Sequence, residues 1–214
     1  MYLPAHFEET RTEVLHAAID AHPLGTLITQ DAAGTLQANP IPFSIEPGGS
    51  THGTLRGHVA RANPVWRETR ADLDALVVFQ GAQSYVSPGW YPSKAEHGKV
   101  VPTWNYVVVQ ARGRLRAIED AAWLRAFVGR LTDRFEAVRP APWQVADAPP
   151  DYIDAMLRAI VGIEIEVTAL VGKWKVSQNR GAADRAGVAA GLSGLAGDAQ
   201  AQAMADEVRA RGLP

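Results

Sequence analysis

From residue 24 to residue 118 the chain runs as short apolar stretches closed by Gly, Pro, Asn or Asp, with one brief helical segment among them. Parallel pairing needs a crossover of a dozen or more residues, usually a helix, between neighbouring strands. The strands of this region are short and joined by turns, with few helices between. Enough of them in succession argue for a barrel rather than a doubly wound sheet.

Residues 24–29 and 36–45 flank the turn Asp31-Ala-Ala-Gly34 and make a hairpin. The second of these strands contains Pro40 and Pro42. Two prolines cannot both donate to a central ladder, which leaves an edge strand, a bulge or a ligand-lining segment. A polar loop over 46–52 follows, then a strand through Thr54 and Leu55, a short helix over 64–70, and a buried strand over 75–80. Residues 82–87 lead into Ser87-Pro-Gly-Trp-Tyr-Pro92, whose turn residues and aromatics predict a surface loop with rings available for contact, and 94–99 reads as polar and mobile. A long twisted strand covers 100–110 and 112–118, interrupted at Gly113.

The helices sit outside this run. Thr10 can cap a helix over 11–21 with Val14, Leu15, Ala18 and Ile19 on one face. Asp120 can cap a second, whose stripe is Trp123, Leu124, Phe127, Val128 and Leu131. After the proline-rich link 140–150, Tyr152, Ile153, Met156, Leu157 and Ile160 form another stripe expected in the core. Alternation returns at 161–167, with Glu164 and Glu166 on the solvent face, and an extended segment over 173–179 places Lys173, Lys175 and Ser177 on one side. Those lysines could meet a phosphate or water. Beyond Arg185 the composition turns to Ala and Gly, ending in a helix over 198–211 expected to be peripheral or frayed. The domain reading is therefore one unit over 1–192 and an alanine-rich tail over 193–214.

Composition narrows the function. The chain has 214 residues, enough for one good core, and no apolar run long enough to span a membrane. Its first residues are acidic and unlike a secretory signal, so a cytoplasmic location is expected. The absence of cysteine removes disulfides, thiolate metal sites and cysteine nucleophiles, and six scattered histidines suggest no metal centre. A formal net charge of -2 gives no global attraction for nucleic acid.

The stretch Gly53-Thr-Leu-Arg-Gly-His-Val-Ala-Arg-Ala-Asn-Pro-Val-Trp66 packs a strand end, a basic turn and a helix start together. Gly57 permits a close approach to the backbone, and Asn63-Pro64 reads as an N-cap with proline at the first helical position. Arg61 and the first amides of that helix could converge on an anion, with Arg56 and His58 nearby. A common strand-to-helix junction with no ligand has the same sequence signature.

Taken together, His52-Gly-Thr-Leu-Arg-Gly-His-Val-Ala-Arg-Ala-Asn-Pro64, Val78-Val-Phe-Gln-Gly81, Ser87-Pro-Gly-Trp-Tyr-Pro-Ser-Lys94, Val101-Pro-Thr-Trp-Asn-Tyr106 and Lys173-Trp-Lys-Val-Ser-Gln-Asn179 resemble the PaiB-type proteins, the FMN-binding negative transcriptional regulators. Met1-Tyr-Leu-Pro-Ala-His-Phe7 and His22-Pro-Leu-Gly-Thr26 fit as well, and only the tail after about Leu192 lies outside the resemblance.

The resemblance implies a mainly β fold with peripheral helices, a split β-barrel of the pyridoxamine-phosphate-oxidase-like group, FMN-binding and homodimeric, with two equivalent sites between the subunits. It implies that FMN lies against Asn39 to Phe43, Pro42 included, and against Gly57, His58, Arg61, Ala62 and Asn63. Arg61 would hold the phosphate beside the Ala62 and Asn63 amides, and His58 would bond phosphate or ribityl oxygen. Thr103, Trp104 and Asn105 would surround the ring, and Lys173, Lys175, Ser177 and Gln178 would reach the cofactor from the partner subunit.

Three functions follow. In the first, an FMN-dependent oxidoreductase with a small-molecule redox partner, the flavin carries the electrons, Lys173 or Lys175 stabilises its reduced form, and the loop bearing Trp90, Tyr91 and His97 is a lid or a dimer contact. In the second, a transcriptional regulator, direct DNA binding lacks a helix-turn-helix, and Arg125, Arg130, Arg134 and Arg139 are diluted by Asp133 and Glu136. The third, haem binding through His6, His16, His22 or His97, has no distinctive setting.

Overall fold

The computed structural model describes residues 1–211. Their strands form one antiparallel sheet in the order β3-β2-β6-β7-β8-β5-β4, with β1 (Glu8–Glu9) pairing onto β8. The others are β2 (Leu24–Gln30), β3 (Leu36–Pro42), β4 (Ser44–Gly48), β5 (Ser50–Ala60), β6 (Ala75–Val86), β7 (Thr103–Ile118) and β8 (Ile160–Lys175). The chain divides into two compact units, and β6, β7 and β8 each pass from one to the other.

One unit comprises Pro23–Val78 and Ala111–Leu170. Within it β3 and β4 stand at opposite ends of the strand order, yet Phe43 alone separates them in sequence. One residue cannot span an open sheet, so the strands curl until their ends meet, which makes a barrel. Its interior is built from cross-strand pairs of buried residues: Leu27 with Val77, Leu55 with Ile165, Val59 with Val161. The prolines fall on the edge strand, Pro40 opposite Thr26 and Pro42 opposite Leu24, as their missing donors require. Helices α4 (Ala121–Glu136) and α5 (Pro150–Arg158) bury Leu124, Ile153 and Leu157 in one cluster. Asp120 caps α4 by accepting from the Trp123 amide at 2.6 Å. Trp123 lies so close to Gly162 that a Cβ there would come within 2.3 Å of the ring.

The other unit comprises Met1–His22, Phe79–Gln110 and the described part of Val171–Pro214. It holds α1 (Thr12–Ala21), the short α3 (Ser93–His97), α6 (Ala182–Ser193) and α7 (Ala199–Ala210). The described alanine-rich residues, 193–211, belong to it. Helix α7 buries Ala201, Met204, Ala205 and Val208 and packs on α6, because small side chains let two helices approach closely.

Several expectations change. Thr10 does not cap α1; the Glu9 carboxylate takes the Arg11 amide instead, at 2.9 Å. Residues 36–45 are two strands meeting at Phe43, and the loop 46–52 is the β4–β5 hairpin, turned by Gly48 and Gly49 at φ 99° and 82°. Strand β7 continues through Gly113, which is needed because a Cβ there would sit 2.0 Å from the Glu166 carbonyl. Tyr152 and Met156 are exposed, flanking the buried Ile153 and Leu157. The rings of 87–92 are only partly offered to solvent: Tyr91 is buried, and Trp90 is half-buried, with its ring on Gly191 of α6 and its carbonyl against Gly187.

Candidate functional site

In the unit containing the chain's C-terminal part, the ends of β7 and β8 bring Thr103, Trp104, Asn105, Lys173, Lys175, Ser177 and Gln178 into one neighbourhood. Gln178 closes the turn after β8 by accepting from the Val176 amide at 2.8 Å and donating to the Trp174 carbonyl. That turn forces Ser177 to φ 65°, the only positive φ at a non-glycine among the described residues. Asn105, buried on β7, donates to the Ser177 hydroxyl at 2.9 Å. Strain held by a buried hydrogen bond is common where a backbone must present a ligand-facing group.

Around this turn stand three cations. Lys175 donates to the Thr103 hydroxyl at 2.6 Å and to the Trp104 carbonyl. Lys173 is buried, donates to the Tyr2 carbonyl at 3.0 Å, and lies 5.2 Å from the centre of the Tyr106 ring. Arg180 stacks over Tyr91 at 4.9 Å. Among the described residues no carboxylate pairs with any of the three. Burial, with the charges of Lys173 and Arg180 adding to it, holds the Lys175 ammonium below the ordinary lysine range. The donor set is cationic and amide-rich, so it suits an anion with further hydrogen-bonding edges. Trp104 is exposed beside Tyr85, edge to face at 6.2 Å.

The remaining expected residues belong to the barrel unit. Asn63 caps α2 (Val65–Glu68) through its Oδ1, which accepts from the Val65 amide at 3.0 Å, and donates from Nδ2 to Asn39 at 3.0 Å. The Asn63 amide itself is taken by the Ala60 carbonyl at 2.8 Å. Arg61 makes an exposed ion pair with Glu119 at 2.5 Å and donates to the carbonyls of Arg158 and Ile160. An anion at this guanidinium would have to replace Glu119. Gly57 is approached by this chain's own Ile41 and Phe43, each 3.2 Å from where a Cβ would stand. Pro42 is exposed on the edge strand, and Ala62 is exposed in the turn.

His58 alternates with Gly57 along β5 and takes the opposite face, with its ring 6.0 Å from that of Phe127 on α4. Burial pushes it toward the neutral form. On the same face Arg56 binds Glu46 and Glu164. Burial alone would raise the Glu164 carboxyl, but hydrogen bonds from Arg116 and Arg56 outweigh it and hold Glu164 below the usual range. Glu164 is thus part of an ion network rather than a solvated side chain.

Residues 1–169 match the family described as "Putative FMN-binding domain". The chain belongs to this FMN-binding family. It is 35% identical over 246 residues to an uncharacterized protein of Emericella nidulans, with 99% of this chain and 98% of that one covered. It is 32% identical over 187 residues to the protease synthase and sporulation protein PAI 2 of Bacillus subtilis, covering 86% and 85%. The fold resembles that of the FAD and heme binding protein from Mycobacterium smegmatis, with a TM-score of 0.56 at 20% identity over 78% of this chain and 73% of that one. The antiparallel barrel with its peripheral helices has the split-barrel architecture expected. The family match contains Asn39 through Asn105 of the candidate residues and ends before Lys173. Three contributors escaped the sequence reading. Arg180 could have been found, since it follows Gln178 by two residues in the same polar segment. Tyr106 could too, since it follows Asn105 in the motif over 101–106, whereas Glu119 could not, because its role depends on Arg61, 58 positions away.

No helix among the described residues is long and apolar enough to cross a membrane.

Proposed function

We propose that this protein binds FMN as a homodimer and serves as a flavin-dependent oxidoreductase. The observation that carries the reading is the trio Lys173, Lys175 and Arg180 around the strained Ser177 turn, without a carboxylate partner among the described residues. Unpaired cations kept partly from water raise the affinity for an anion, and a flavin offers its phosphate and an electron-rich pyrimidine edge. When bound, FMN would supply hydride or single-electron transfer. Lys175 would hold a negative oxygen, Asn105 and Gln178 would fix the turn through Ser177 and Trp174, and Trp104 would give an apolar face. Asn39, Asn63 and Arg61 would act in the same site from the other subunit, with Arg61 exchanging Glu119 for phosphate. The exposed Tyr85–Trp104 pair supports a partner surface on this unit.

The deciding experiment is titration of the purified protein with FMN, followed by flavin absorbance and sedimentation. Saturable binding of one FMN per chain by a dimer is expected, with affinity reduced in Lys175→Met. A colourless monomer that ignores FMN would overturn the reading.

Direct action on DNA has less support. Arg125 is paired with Asp154 and Arg130 with Glu46, so the basic residues of α4 are largely neutralised.

A further inference from the structure

The barrel unit contains a cavity of ≈ 400 Å³ between the outer face of β5 and helices α4 and α5. Its walls are almost wholly apolar, with Val128, Trp143, Ile153, Leu157 and Ile160 among them. The imidazole of His58 lines it as well, and the Nδ1 of that ring is buried without a hydrogen-bond partner among the described residues. A buried polar atom left unpaired is costly, and proteins of this size carry few of them. Among the described residues on the wall Arg125 is the one that carries a full charge, and it already binds Asp154. The cavity therefore has no net charge to offer, and it asks for one hydrogen bond.

We infer that this cavity is a binding site for a neutral, planar aromatic molecule of one or two rings carrying a single hydroxyl or ring N–H, which pairs with His58. The volume lies within the range of small-molecule pockets, and the apolar lining with one convergent polar group is their usual composition. His58 is kept neutral by its burial, so it can give or take one hydrogen bond according to tautomer. Because Nδ1 is buried as the ring stands, pairing with the occupant would take a turn about the Cβ–Cγ bond, which is a soft torsion. Trp143, half exposed at the rim, supplies a ring face for the outer part of the molecule. A charged ligand would forfeit its hydration here with nothing to replace it.

The test uses 2-naphthol and naphthalene as probes on the full chain, followed by calorimetry and Trp fluorescence. Wild-type protein is expected to bind one 2-naphthol per chain about tenfold more tightly than naphthalene. His58→Phe should abolish that preference while still binding naphthalene. Ala60→Leu, an exposed strand-end residue on the cavity wall, should weaken both probes without relying on the histidine. Equal binding of the two probes by wild type, no binding of either, or an undiminished preference in His58→Phe would overturn the inference. So would displacement of 2-naphthol by FMN, which would make the cavity part of the flavin site. Failure of FMN to bind at all would leave this result intact, so the two readings fail separately.

Discussion

Asn105 on β7 donates its side-chain amide to the hydroxyl of Ser177, and Ser177 stands in the left-handed region at φ 65°. The bond and the strain oppose each other, and their magnitudes can be separated. Replacing serine by glycine relieves about 1 kcal/mol of backbone strain, whereas losing the acceptor for a buried amide costs about 1–3 kcal/mol. Ser177→Gly should therefore destabilise slightly, and Ser177→Ala should be worse by about 1 kcal/mol. Urea denaturation of the two variants measures the difference, and equal stabilities would mean that the turn is unstrained.

Lys175 makes a prediction in pH. Its ammonium is held below the ordinary lysine value by burial first, then by Lys173 and Arg180. The unfolded chain keeps that proton to higher pH than the folded one, so stability rises with pH between the lowered value and 10.5. Flavin affinity should move the other way, falling as Lys175 loses its charge. Lys175→Met should flatten both profiles and weaken FMN by about thirtyfold. An FMN titration repeated across alkaline pH reads this directly.

Arg61 and Glu119 form an exposed pair, and such pairs contribute about 0–1 kcal/mol. Glu119→Gln should leave the melting temperature nearly unchanged. If the guanidinium takes the flavin phosphate, the same variant should tighten FMN several-fold, and Arg61→Ala should weaken it by about tenfold. Unaltered affinity in both variants would remove Arg61 from the site.

Glu9 is buried between Arg11 and Arg211, at 2.7 Å and 2.6 Å. The Arg11 hydrogen bond, helped by Arg211 and opposed by burial, lowers its carboxyl to about 2 from 4.5. The stability this supplies is complete above pH 4.5 and is lost as pH falls toward 2. Glu9→Gln should cost about 3 kcal/mol at neutral pH and remove that acid-side decline. Thermal melts of both proteins across this interval would show it.

Local chemistry made much of the barrel legible. Pro40 and Pro42 announce an edge, Asp120 and Asn63 announce helix starts, and the alternation from Val161 to Val167 marks an inward face. Side-chain partners were less visible. Glu164 reads as solvated until Arg56 and Arg116 are found across the sheet, and Trp90 reads as exposed until α6 offers two glycines to receive it. Arg61 stood out as a free cation because Glu119 lies 58 positions away in sequence. Of the site residues singled out in the sequence, those at the ends of β7 and β8 lie together and the rest belong to the barrel unit. The balance of charge around them depends on which carboxylates the fold brings near.

The two prolines of β3 have a consequence for assembly. A neighbouring chain that tried to lengthen the sheet at this border would find two amide hydrogens missing from the row it needed to dock against. Fibre-like stacking of copies along this border is thereby disfavoured.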